Sequence, residues 1–113
     1  MESTRQKKVS RLLQKELAEI LRKRTTILAP GRIITVTTVR VSPDLGLAKI
    51  YLSIFPSTNN EQALSSISSS TSPLRLELGK LVRNQLRVVP ELYFYLDDSL
   101  DYIDNIDSLL KEE

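Results

Sequence analysis

Lys8, Arg11, Lys15 and Arg22 stand three, four and seven residues apart. On a 3.6-residue helix that spacing gathers them along one side. Lys80, Arg83 and Arg87 repeat the pattern at spacings of three and four. Rows of fixed cations suit one chemistry above others, contact with the phosphates of a polyanion. Acid–base and metal chemistry lack their usual groups. The 113 residues contain no histidine and no cysteine, which removes the commonest general base, the thiolate nucleophile and the commonest metal ligands. The three glycines, Gly31, Gly46 and Gly79, are too far apart to form a phosphate-cradling loop. The Asp97-Asp98 pair, beside Ser99, reads as helix capping and solubility rather than as a magnesium site. No enzyme, metal site or cofactor is expected.

The charge is segregated along the chain. Eleven Lys/Arg against four Asp/Glu between Met1 and Lys49 leave a surplus of seven positive charges. One lysine against eight acids between Glu91 and Glu113 leaves a surplus of seven negative charges, so a net charge of +2 conceals a basic end and an acidic end. Such polarity fits a face that binds a polyanion and another that repels it, and equally fits solvated amphipathic helices. At this length the chain makes one domain with one modest core. The absence of cysteine fits a reducing cytoplasm, and no apolar run approaches membrane-spanning length or forms the core of a signal peptide.

The elements that must carry these cations follow from periodicity. Ser3 to Arg24 reads as a helix opened by a Ser3/Gln6 capping box. Val9, Leu12, Leu13, Leu17, Ile20 and Leu21 form its apolar stripe, and Lys23 and Arg24 suit its C-terminal dipole. The cations Lys8, Arg11, Lys15 and Arg22 project opposite the stripe. Two strands, Arg32–Val41 and Leu47–Phe55, flank a turn at Ser42–Gly46 in which Gly46 can take positive φ. Thr37-Thr38-Val39 breaks the alternation and predicts a bulge. Thr58 with Glu61 offers a second capping box for a short helix through Ala63, Leu64 and Ile67. The hydroxyl run Ser68–Ser72 predicts a break, after which Ser72 caps a helix whose first residue is Pro73. Leu74, Leu78, Leu81 and Val82 make its stripe. Beyond Pro90 the period becomes two, with Leu92, Phe94 and Leu96 on one strand face and Tyr93 and Tyr95 on the other. Ser99 can cap a last acidic helix carrying Tyr102, Ile103, Ile106, Leu109 and Leu110.

The resulting fold class is α+β in the order α-β-β-α-α-β, a three-stranded sheet packed on helices, with an acidic C-terminal helix or tail. That order resembles the type II KH domain, which grips single-stranded nucleic acid. The usual KH grip is a GxxG loop, and Ser70-Thr71-Ser72-Pro73 stands in its place, so a generic sequence-reading KH domain fits poorly. Several motifs resemble the ribosome-binding factor A family more closely. They are Val41-Ser42-Pro43-Asp44-Leu45 leading into Ala48-Lys49-Ile50-Tyr51-Leu52-Ser53, and Leu74-Arg75 with Leu78-Gly79-Lys80. Arg87-Val88-Val89-Pro90-Glu91-Leu92 with Phe94 and Asp97-Asp98-Ser99 also agree, as does the Glu16–Leu21 run on the basic helix. The family usually has an Ala-x-Gly kink where this chain has Ser70-Thr71-Ser72, and Asn84-Gln85 lengthen the link before the last strand.

The resemblance implies a KH-like domain over residues 1–98 and an acidic helix or tail over 99–113. It implies a monomeric, cytoplasmic, non-enzymatic assembly factor that binds the free 30S subunit and assists late maturation of 16S rRNA, including its 5′ end. A ribosome-assembly GTPase is a further candidate partner. The RNA-binding residues expected are Lys8, Arg11, Lys15 and Arg22 on the first helix, and Arg75, Lys80, Arg83 and Arg87 on the third. Ser70 and Ser72 can add donors to a phosphate at the start of that helix. Their role is phosphate contact rather than base reading. Tyr51, Tyr93 and Tyr95 can stack on bases, although sheet-surface tyrosines more often lie under a helix. Two alternatives remain at this point, a single-stranded-RNA binder acting away from the ribosome and a protein-interaction module that uses the acidic and basic ends as complementary patches.

Overall fold

Helix formation begins at Ser3, whose hydroxyl accepts from the Gln6 backbone N–H at 3.1 Å while the Gln6 side chain accepts from the Ser3 N–H at 2.7 Å. The reciprocal pair satisfies two otherwise orphaned donors, and α1 runs from Thr4–Leu28. The structure, a computed structural model, describes residues 2–56 and 59–97. Val9, Leu13, Leu17, Ile20 and Leu21 are buried as their spacing predicts, with Leu12 half-buried beside them. The helix outruns its expected end at Arg24 by a turn, because Leu28 and Ala29 are themselves core residues. Lys23 and Arg24 therefore do not sit at the C-terminal dipole. Gly31, at φ 76°, supplies the left-handed step that turns the chain into the sheet.

Strand β1 covers Ile33–Val41, one residue shorter than expected at its start, and β2 covers Leu47–Phe55. They pair antiparallel, with the register slipping between Val36 and Thr38, so the predicted bulge is present. In the turn between them Leu45, not Gly46, takes positive φ (62°). Gly46 instead stands close against the Asp44 carboxylate. The Asp44 carboxylate accepts from the Gly46 N–H at 3.0 Å, and a Cβ at Gly46 would stand 3.3 Å from the same oxygen.

Helix α2, Asn60–Ser69, has Asn59 at its N-cap in the left-handed region and no side-chain cap bond. The expected Thr58/Glu61 capping box thus fails at the position of the cap, and Thr58 itself lies outside the described residues. The hydroxyl run breaks the helix as predicted, but at the single residue Ser70. Helix α3, Thr71–Val82, then starts earlier than expected, with Ser70 at its N-cap and without a side-chain cap bond, so Ser72 and Pro73 lie inside the first turn. Proline is tolerated there because the first four helical N–H groups have no intrahelical acceptor. Leu74, Leu78 and Val82 are fully buried, whereas Leu81 is 48% exposed and does not belong to the stripe. After Pro90, β3 covers Glu91–Leu96 and pairs parallel with β2, giving the sheet order β1-β2-β3.

The result is a two-layer α+β domain in the order α-β-β-α-α-β. Helix α1 lies over β1, α2 and α3 lie over β3, and α1 touches α3. Between the layers, Ala48, Ile50 and Leu52 of the central strand are fully buried in the core. The other sheet face carries Thr35, Arg40, Lys49, Tyr51, Tyr93 and Tyr95. The predicted acidic helix beyond Ser99 lies outside the described residues.

Candidate nucleic-acid interface

Lys8, Arg11, Lys15 and Arg22 are all exposed on the outer side of α1. At 1.5 Å per residue the row is about 21 Å long. Its last member is engaged. Arg22 donates to Glu19 through Nη2 at 2.7 Å and Nε at 3.2 Å. That hydrogen bond, and then the guanidinium charge, hold the Glu19 carboxyl below its ordinary pKa. Both side chains are solvent-exposed, so a phosphate can compete for Arg22 at little cost. Arg24, further along the helix, instead donates to Glu77 at 2.7 Å and ties α1 to α3.

The second set gathers around a groove of about 650 Å³ between α3 and the link to β3. Ser72, Arg75, Lys80, Arg83 and Arg87 all line it. Positions 72, 75, 76, 79, 80 and 83 recur at helical spacing on the side of α3 away from its core stripe, which is why they converge. Helix α3 ends at Val82, so Arg83 and Arg87 belong to the link rather than to the helix. Arg75 is half-buried. Its guanidinium donates to the carbonyl of Pro90 at 3.1 Å and to that of Val89, fixing the link against the helix. It shapes the groove as well as charging it. Ser70 does not line the groove, and its N–H is bonded to the Ile67 carbonyl at 3.0 Å.

Sequence reasoning missed the apolar part of this surface. Leu76 is 66% and Val88 72% exposed, and both line the groove among the cations. The available signal was their place at i+1 of Arg75 and Arg87, off the core stripe. The two cationic sets lie on different elements, one along α1 and the other on α3 and the link that follows it. Among the described residues no group of His, Cys, Asp or Glu is arranged to hold a metal ion, and no helix is long and apolar enough to cross a membrane.

The chain is an α+β domain that carries a row of exposed cations on α1 and a groove lined by cations beside α3, and comparison with known proteins narrows its class. The family model of ribosome-binding factor A matches residues 5–110. The ribosome-binding factor A of Cytophaga hutchinsonii is 45% identical over 112 residues, covering 99% of this chain and 84% of that protein. That of Christiangramia forsetii is 45% identical over 113 residues, covering 97% and 85%. In structure the chain is similar to the crystal structure of ribosome-binding factor A from Thermus thermophilus. The TM-score is 0.68 at 25% identity, covering 80% of this chain and 94% of that one. It is also similar to a Thermus thermophilus ribosome-binding factor A fitted into a cryo-EM map of a 30S complex, with TM-score 0.60 at 26% identity, covering 77% and 93%. The chain belongs to the ribosome-binding factor A family.

Proposed function

We propose that this protein is a non-enzymatic assembly factor that binds the free 30S subunit in the cytoplasm and assists late maturation of 16S rRNA, including its 5′ end. The observation that carries this reading is the convergence of Arg75, Lys80, Arg83 and Arg87 on one groove in a member of this family. A relative of the same fold has been fitted to a 30S complex, which favours the small subunit as the particle bound. The α1 row and the groove contact phosphates, so binding is strong at low salt and falls steeply as salt rises. Leu76 and Val88 give the groove an apolar floor for a sugar or a ribosomal protein side chain. The factor acts as a monomer, and a ribosome-assembly GTPase is the kind of partner that would release it.

The test is co-sedimentation with isolated 30S subunits, 50S subunits and 70S ribosomes, combined with charge reversal at Arg11, Lys15, Arg83 and Arg87. Co-migration with 30S subunits alone, lost on charge reversal, is the expected result. Equal binding to all three particles, or none at low salt, overturns the reading. The maturation role is checked by whether cells depleted of the protein accumulate 16S rRNA with an unprocessed 5′ end.

A further inference from the structure

The sheet face turned away from the helices holds a second set of groups that the phosphate-binding surfaces do not use. Neighbouring strands place Tyr51 beside Tyr95, and their rings stack with centroids 5.5 Å apart and planes 28° from parallel. Tyr93 lies on the same side of β3, 44% exposed, and Tyr95 is 41% exposed. The register sets Arg40 beside Lys49 and Lys49 beside Tyr93, so two exposed cations flank the rings. On the β1 side of Tyr51 a shallow concavity of about 340 Å³ is lined by Thr38, Arg40, Tyr51 and Asp97.

The geometry points to a platform for single-stranded RNA on this face, distinct from the helix row and the groove. It rests on the rRNA-binding reading of the chain. A base enters the concavity against the ring of Tyr51 and extends the stack that Tyr51 and Tyr95 already form. Stacking of this kind is tolerant of sequence, because every base has a π-face. Tyr93 and Tyr95 are two residues apart on one strand face, about 6.6 Å at strand rise, a separation that an extended nucleotide chain can match. Arg40 and Lys49 meet the phosphates. Two acids face the same side. Asp97 accepts from the Thr37 hydroxyl. Glu91, at the far corner, accepts from the Tyr93 hydroxyl at 3.2 Å. That bond, and then the carboxylate charge, raise the Tyr93 pKa, so the phenol stays neutral. A duplex cannot use these rings, since its bases are already stacked.

The experiment measures binding of the full chain to octaadenylate and to an abasic octamer of equal charge. The paired substitution Tyr51→Ser with Tyr95→Ser removes the rings, and Tyr51→Phe with Tyr95→Phe keeps them. The protein as it stands is expected to bind octaadenylate about tenfold more tightly than the abasic chain. The serine pair is expected to erase that preference and the phenylalanine pair to retain it. Equal binding of the two probes, a preference surviving in the serine pair, or one lost in the phenylalanine pair each overturns the platform. Equal binding would mean that this face takes another occupant, such as the chain's own acidic segment. Should the serine pair fail to fold, tyrosine emission of the unmodified protein decides, quenching with octaadenylate but not with the abasic octamer. Sedimentation of the same protein separates the two readings. Co-migration with 30S subunits but no stacking preference overturns the platform alone, whereas loss of co-migration overturns the ribosome reading.

Discussion

Gln6 donates through Nε2 to the backbone carbonyl of Val41 at 2.8 Å, across 35 residues of sequence. The same side chain caps α1 through its Oε1, so one buried amide both starts the helix and pins it to the end of β1. Gln6→Ala strands the Ser3 N–H and the Val41 carbonyl together. The expected cost is about 1–3 kcal/mol, read as a lower urea midpoint at unchanged slope. Gln6→Glu keeps the cap but sets a buried carboxylate oxygen against the Val41 carbonyl, and is expected to cost at least as much as Gln6→Ala.

Burial separates two leucines that helical spacing alone puts together. Leu78 is fully buried, and Leu78→Ala is expected to cost about 2–5 kcal/mol. Leu81 is 48% exposed, and Leu81→Ala is expected to lie within about 0.5 kcal/mol of the unmodified protein. Equal costs in denaturant unfolding would place Leu81 in the core and contradict the orientation of α3.

The turn at Ser42–Gly46 carries a pH dependence of known sign. The Ser42 hydroxyl donates to Asp44 at 2.7 Å and the Gly46 N–H at 3.0 Å, and these bonds, in that order, hold the Asp44 carboxyl below its ordinary pKa. A carboxylate whose folded pKa is depressed contributes stability that is complete above its unfolded value, about 3.9, and is lost as pH falls through the lower folded value. Asp44→Asn is therefore expected to lower the melting temperature near neutral pH. The gap to the unmodified protein should narrow as the solution is acidified below the ordinary carboxylate range. A gap that widens in acid would contradict the assignment.

Arg75 and Lys80 line the same groove yet differ in what they hold. Arg75 bonds two backbone carbonyls of the link, whereas the Lys80 ammonium is exposed and holds no part of the link in place. Arg75→Ala is expected to lower both stability, by about 1–2 kcal/mol, and 30S affinity. Lys80→Ala is expected to lower affinity alone. Arg75→Lys does not restore the loss, because an ammonium lacks the planar fork that reaches both carbonyls.

The elements were legible in the sequence wherever one period dominated. The α1 stripe, the alternation of β2 and β3, the hydroxyl break and the bulge at Thr37-Thr38 all follow from residue types within a few positions of each other. What the sequence hid depends on distant partners. Whether α1 stops at Arg24 or Leu28 is decided by core space that Leu28 and Ala29 fill, and local propensity carries no trace of it. Leu81 satisfies the helical period as well as Val82 does, and only the placement of α3 against the sheet separates them. The cations could be found by spacing, but their grouping could not. Arg87 joins Lys80 because the link folds back on α3, held by Arg75, through bonds between residues 14 and 15 positions apart. The exposed Leu76 and Val88 read as ordinary apolar residues until that fold-back surrounds them with charge.

Equilibrium binding to isolated 30S subunits across a salt series shows whether the groove cations meet rRNA phosphates. For the unmodified protein, the logarithm of the association constant should fall linearly with the logarithm of salt concentration. Replacing Lys80, Arg83 and Arg87 by alanine should make that slope shallower by about 0.7–0.9 for each phosphate that is no longer neutralised. It should also weaken binding at low salt without shifting the unfolding midpoint. A slope unchanged by the triple substitution would contradict the account, because the groove cations would then not be meeting rRNA phosphates.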